Sequence, residues 1–155
     1  MKYLGIVVAL LIIAILSFTT VKKVSPVGWG LWGTTNTSSG VALKGYDPVA
    51  YFTEHAPVQG SDKLTVEWGE AMWQFASSRN RDLFAANPEQ YAPQFGSFCA
   101  FAVSKGFTAD SSPDAWHIEN GKLFVFMDQS VRDDWVATIA EGSEQRSNDN
   151  WAKRH

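Results

Sequence analysis

After Lys2 the chain runs uncharged over residues 3–21, "YLGIVVALLIIAILSFTTV", with Leu, Ile and Val at most positions. A helix needs about 20 such residues to cross a bilayer, so an N-terminal transmembrane helix is expected. A cleaved secretory signal shares the basic start and the apolar core. It also needs a small-residue cleavage site, and "SFTTVKKVSP" offers none while placing Lys22 and Lys23 where a peptidase would act. Residues 1–24 are read as an uncleaved membrane anchor in preference to a signal segment. No cysteine follows the run, which excludes a lipoprotein anchor. The next stretch, "SPVGWGLWGTTNTSSG" over residues 25–40, is rich in Gly, Ser and Thr and has no apolar period. It is expected to be a flexible linker, with Trp29 and Trp32 either at the headgroup level or packed on the domain that follows.

Residues 41–155 read as one domain. In "LTVEWGEAMWQF", Leu64, Val66 and Trp68 alternate with Thr65 and Glu67, the period of a half-buried strand. A Gly69-Glu70 loop suits a type II′ hairpin, and that register sets Val66 opposite Trp73 and Leu64 opposite Phe75. In "AWHIENGKLFVFM" the Asn120-Gly121 pair predicts a hairpin, because both turn residues need positive φ. It sets Glu119 against Lys122, Ile118 against Leu123 and His117 against Phe124, with His117 on the more polar face. Ser77 or Ser78 caps a helix through "RNRDLFAAN". Asn87 and Gln90 make a capping-box-like start with Pro88 at the first helical position. Ser130 precedes a Val131, Trp135, Ile139 stripe that stops at Gly142. Ser97 and Gly106 bracket "FCAFAVSK" as a short helix. The elements mix without a βαβ alternation, so the class is α+β: a single small domain with two β-hairpins and several short helices. Trp68, Trp73, Phe75, Phe84, Tyr91, Phe95, Phe98 and Phe101 are its expected core.

Charge narrows the partners. Lys2, Lys22 and Lys23 are the charged residues before residue 41, so a net charge of −3 leaves about −6 on the domain. An acidic domain without a basic stripe excludes nucleic acid. The membrane, through residues 3–21, is the expected partner, and no protein partner can be named. Lys2 and the N-terminal amine favour an inside N-terminus, whereas Lys22 and Lys23 pull the other way. The expected location is a bacterial inner membrane with the domain facing the periplasm or exterior; the alternative is secretion after signal cleavage.

The chain has one cysteine, Cys99, within "QFGSFCAFAVSKGF", and no CxxC, HExxH, G-x-S-x-G or phosphate-binding glycine loop. A leftover cysteine in an exported protein is a buried thiol, an intermolecular bond, or a reactive or metal-binding group. In the first turn of a helix the dipole lowers a thiol's pKa. Desolvation by Phe95, Phe98 and Phe101 raises it, and the sequence leaves the sign open. Thiolate with imidazole or thioether suits copper or zinc, which makes His117, Met72 and Met127 candidate partners. Each also fits a plainer role, His117 as a half-exposed strand histidine and the methionines as core. His55 falls in a loop. A stable site wants three or four ligands, so a metal on one cysteine points to a homodimer sharing it.

Four blocks resemble the YHS-domain family of exported or membrane-anchored bacterial proteins: "GYDPVAYF", "WQFASSRNRDLFAANPEQYAPQFG", "FCAFAVSKGF" and "DAWHIENGKLFV". YHS domains are similar to treble-clef-like heavy-metal modules, and short versions occur in copper-handling proteins. In the longer family the position matching Cys99 carries cysteine or selenocysteine, which implies chemistry there. The block match adds Tyr46 and Asp47 as candidate partners, although Asp47-Pro48 is also a good turn starter. The chain departs from the family in lacking the Tyr-His-Ser triplet and in carrying Gly96-Ser97-Phe98 for the usual Gly-Gly-Tyr. The resemblance implies a membrane-tethered extracytoplasmic module, more a binder than an enzyme, handling a soft metal such as copper through Cys99. The alternatives are a thiol redox protein or sensor and a non-catalytic interaction domain with an inert buried cysteine.

Overall fold

The computed structural model describes residues 2–22 and 24–154, with side chains in the first helix for 5–18 and 20. That helix, α1, covers Lys2–Lys22. Its described apolar side chains, from Ile6 to Phe18, are exposed on every side. Among the described residues no helix is long and apolar enough to cross a membrane.

The rest is an α+β domain of short elements. In order they are β1 (Ser25–Pro26), α2 (Ala50–Thr53), β2 (Ser61–Trp68), β3 (Ala71–Phe75), α3 (Ser78–Ala86), α4 (Pro88–Tyr91), α5 (Ala100–Ser104), β4 (Phe107–Thr108), β5 (Ser112–Glu119), β6 (Lys122–Phe126), α6 (Gln129–Ala137) and α7 (Ser143–Trp151). Three antiparallel pairs form, β1–β4, β2–β3 and β5–β6.

The two hairpin regions repeat one another. β2, β3 and α3 recur as β5, β6 and α6 with the same lengths and an offset of 51 residues. The register breaks at matching places, between Ser61 and Thr65 and between Ser112 and Trp116. Each unit is preceded by three residues in the left-handed region: Leu43, Lys44 and Gly45, then Phe95, Gly96 and Ser97. Such non-glycine residues cost about 1–2 kcal/mol each, so packing must hold them. Leu43 and Phe95 do so as buried members of two separate apolar clusters. The next residue but one is equivalent in each unit. Asp47 donates its N–H to the Val58 carbonyl (2.8 Å), and Cys99 donates to Ala109 (3.0 Å).

β6 joins the two clusters. Leu123 and Val125 enter the one built on Tyr51, Trp73, Phe75 and Phe84, while Phe124 and Phe126 enter the one built on Phe98, Cys99 and Trp135. The first hairpin is apolar on one face only, with Met72 exposed between Ala71 and Trp73. Tyr51 crosses between the units, donating its hydroxyl to the Pro113 carbonyl at 2.9 Å and meeting Trp116 edge-on at 5.3 Å.

The second hairpin has the expected register at all three pairs. In the first, Val66 faces Trp73 as expected, but the irregularity puts Ser61, not Leu64, opposite Phe75. Its turn is type I′, since Gly69 and Glu70 both have positive φ, the twist that matches flanking strands. Ser77 caps α3 and Pro88 opens α4, whereas Asn87 makes no side-chain cap. α6 is capped by Asp128, not Ser130, because Asp128 is the last extended residue and its carboxylate accepts from Val131 N. The helix ends at Ala137, before Gly142. Of the expected aromatic core, Trp68, Tyr91 and Phe101 are half-buried and the other five fully buried. The polar α7 was not foreseen, and it carries structure. Its Asn150 donates to the carbonyls of Val103 and Ser104 (3.0 and 3.2 Å), and its Ser147 donates to Ala100 O (3.2 Å), tying down the end of α5.

The stretch 25–40 is not a free linker. β1 pairs with β4, and Val27 is buried in the second unit's cluster. Thr35 donates to the Gly69 carbonyl (2.8 Å), while Asn36 donates from its backbone to Gly96 O (2.7 Å) and from its side chain to Asp110 (2.8 Å). Hydrogen bonds made by its few buried residues, Ser25, Thr35 and Asn36, outweigh its flexible composition. The strap crosses Gly96 closely: a Cβ there would stand 1.9 Å from the Thr34 carbonyl oxygen. Gly96→Ala is therefore expected to cost about 3 kcal/mol and to release the strap, seen as a lower urea midpoint and faster amide exchange at Asn36.

Candidate functional site

Cys99 ends the left-handed turn and serves as the N-cap of α5, the place expected of Ser97. Ser97 cannot cap because its own backbone is left-handed, at φ 63°. Gly106 follows the helix as expected, donating to Val103 O at 2.9 Å. Cys99 is 1% exposed. Burial pushes its thiol pKa up, and the polar backbone of Ala102, Met127 and Phe101 only partly offsets this. The sign left open by the sequence is thus settled by desolvation. The group is a protonated thiol, a poor nucleophile.

Asp47 fills the equivalent place in the first unit and is fully buried. Its Oδ1 accepts from Val49 N (2.9 Å) and Ala50 N (3.4 Å), at the start of α2. Its Oδ2 accepts from Ala76 N and from Asn80 Nδ2, both at 2.8 Å, just past the end of β3. Cys99 repeats the position with sulfur. Ala102 and Phe101 lie in the helix it caps, and Met127 follows β6. Each side chain sits between a short helix and the end of a hairpin. Asp47 is satisfied by four N–H donors, whereas the Cys99 side chain makes no capping hydrogen bond to α5.

The other candidates are dispersed. Tyr46 forms a backbone bridge with Gln59 and packs on the first unit's cluster. His117 is half-buried, with Nε2 3.0 Å from a Glu119 carboxylate oxygen. Its face is polar only at the hairpin tip, since Phe124 opposite it is buried. Met72 sits exposed on β3 opposite Glu67. Met127 touches Cys99 through its backbone while the residue itself is exposed. His55 is exposed after α2. Among the described residues no group of three or more His, Cys, Asp or Glu is placed to hold a metal ion. A groove of about 770 Å³ lies elsewhere, between Trp68, Gln90, Gln94 and Lys122, and none of the candidates lines it.

Asp110 was missed by sequence reasoning. Its Oδ1 accepts from Asn36 (2.8 Å), Ser38 (2.9 Å) and Ser111 N (2.9 Å), and its Oδ2 pairs with Lys44 at 3.0 Å. Burial would raise its pKa, but the bonds from Asn36, Lys44 and Ser38 outweigh it and hold the carboxyl below its usual range. It joins strap, first unit and second unit. No local motif marks such a residue. The chain matches no protein-family model, no curated protein and no solved structure.

Two outcomes follow. Because the folded thiol is harder to ionise, the unfolded chain loses that proton first as pH rises. The stability that Cys99 contributes is complete below the free thiol pKa of about 8.5 and declines above it. Urea unfolding at pH 7 and pH 10 will show wild type losing ground against Cys99→Ala; an unchanged difference refutes this. Ser97 is fully buried, its hydroxyl has no hydrogen-bond partner among the described residues, and its backbone is left-handed. Ser97→Gly, which copies Gly45 of the first unit, is expected to stabilise the domain by about 1–2 kcal/mol, read from the same urea curves.

Proposed function

We propose that this chain is a membrane-tethered, extracytoplasmic YHS-type domain that acts as a non-catalytic interaction module, with Cys99 as a structural cysteine. The observation that carries this is the equivalence of Cys99 and Asp47. A sulfur in the position of a hydrogen-bonded carboxylate, buried in the second unit's cluster, is positioned to pack a helix against a hairpin. It is not positioned for metal uptake or thiol exchange, which need accessible thiolate. The tether is supported by α1, whose exposed Ile, Leu and Val side chains face outward on all sides. Such a surface is costly in water and stable in hydrocarbon.

The test uses the full-length protein. Cys99→Ala is expected to lower stability by about 1–2 kcal/mol while leaving membrane association unchanged. The wild-type thiol is expected to react with a disulfide reagent only when urea unfolds the chain. Stoichiometric Cu(I) or Zn(II) uptake that disappears in Cys99→Ala, or native-state thiol reaction at the unfolded rate, would overturn the structural role. Release of the protein from membranes by alkaline carbonate would remove the tether.

A further inference from the structure

Two residues, Lys23 and Val24, separate the end of α1 from β1. The three residue steps from Lys22 to Ser25 span at most about 11 Å, so the β1–β4 pair stands near the foot of the helix. It cannot drift away as a domain on a long linker would. The pair is fixed to the body of the domain by Ser25 opposite Thr108, by a 3.1 Å contact between their hydroxyls, and by Val27 N donating to Gly106 O at 2.9 Å.

The surface at this place is unlike the rest of the domain. Outside α1, the large hydrophobic side chains exposed among the described residues are Trp29, Leu31, Met72, Phe107 and Met127. Three of the five gather here, Trp29 at 68%, Leu31 at 56% and Phe107 at 46% exposure. They line an apolar groove of about 470 Å³, and its other wall is α1 itself, through Ile15 and Leu16. Any medium that covers the bare side chains of α1 therefore reaches the groove without a break.

We propose that this face is seated in the membrane interface, with phospholipid acyl chains filling the groove between α1 and Trp29, Leu31 and Phe107. It rests on the anchoring role proposed for α1 and goes further, in assigning the domain a fixed lipid-facing side. Tryptophan suits that depth, with an apolar ring and a polar N–H. Leu31 and Phe107 supply area that gains only from hydrocarbon. The domain is held down by contact as well as by its tether, so the opposite side is presented outward in a set orientation.

The test is photolabelling of the full-length protein in phosphatidylcholine vesicles that include a phospholipid with a diazirine on its acyl chain, followed by peptide mass spectrometry. Adducts are expected on α1 and on Trp29, Leu31 and Phe107, with none on Ala86, an exposed residue of α3. In a Leu31→Glu, Phe107→Glu double variant the Trp29 adduct is expected to be lost while α1 stays labelled. Both side chains are exposed, at 56% and 46%, and urea unfolding of the double variant confirms that it is folded. Labelling of α1 with none at Leu31 and Phe107 overturns the lipid-facing side, in favour of a second copy or another cover, while the anchor stands. Absence of label on α1 overturns the anchor and this inference together. Equal labelling at Ala86 also overturns it, because the contact would then have no preferred face.

Discussion

Each unit of this domain depends on one buried side chain set between a short helix and a hairpin. Asp47 binds the start of α2 and the backbone just beyond β3; Cys99 holds the matching position before α5, where it is packed in the second cluster. Short helices leave their first N–H groups unpaired and gain little from their own hydrogen bonds. A helix of four or five residues persists here because a residue at its cap is also fastened to a hairpin. The left-handed turns that deliver Asp47 and Cys99 to their places are strained by themselves. They are maintained by the clusters that bury Leu43 and Phe95, so packing offsets what the turn costs.

The chemical difference between the two side chains has a consequence. A carboxylate makes four hydrogen bonds to N–H groups and stays satisfied while buried. A thiol accepts more weakly and remains protonated once desolvated. Around Asp47 the protein accordingly has Gly45 and a compact polar network. Around Cys99 it has Ser97, whose hydroxyl is unpartnered among the described residues, and the aromatic rings of Phe98, Phe95 and Trp151. The second unit is reinforced from outside by α7 and by the strap of residues 25–40. Asp110 fastens that strap to both units at once. The same strap leads back to α1, so the domain's attachment to its helix and the closure of its second cluster are one construction.

Much of this was legible in the residues. Alternation found both hairpins, Asn120-Gly121 set one register without error, and Ser77 and Pro88 marked helix starts, because these signals act within a few residues of themselves. The irregularity that moves Ser61 opposite Phe75 was not legible, nor was the repeat, offset by 52 residues at the turns and 51 in the hairpins, since equivalent places hold different residues: Asp47 and Cys99, Gly45 and Ser97, Phe84 and Trp135. α7 escaped because "SEQRSNDNW" has no apolar stripe and packs through serines and an asparagine. The strap escaped because Gly, Ser and Thr read as flexible wherever nothing else is known.

The sequence by itself determined the apolar N-terminal segment, the α+β class, most hairpin pairings and the single thiol, all properties of composition or short spacing. Tertiary structure alone decided the state of that thiol. Its pKa depends on desolvation by residues far along the chain and on the polar backbone of Met127, which lies on another element. It also decided that Asp47 and Cys99 are counterparts, that Asn36 and Asp110 meet, and that Phe107 stands beside the end of α1. Each of these is a contact between residues distant in sequence, and no local pattern encodes which distant backbone will arrive.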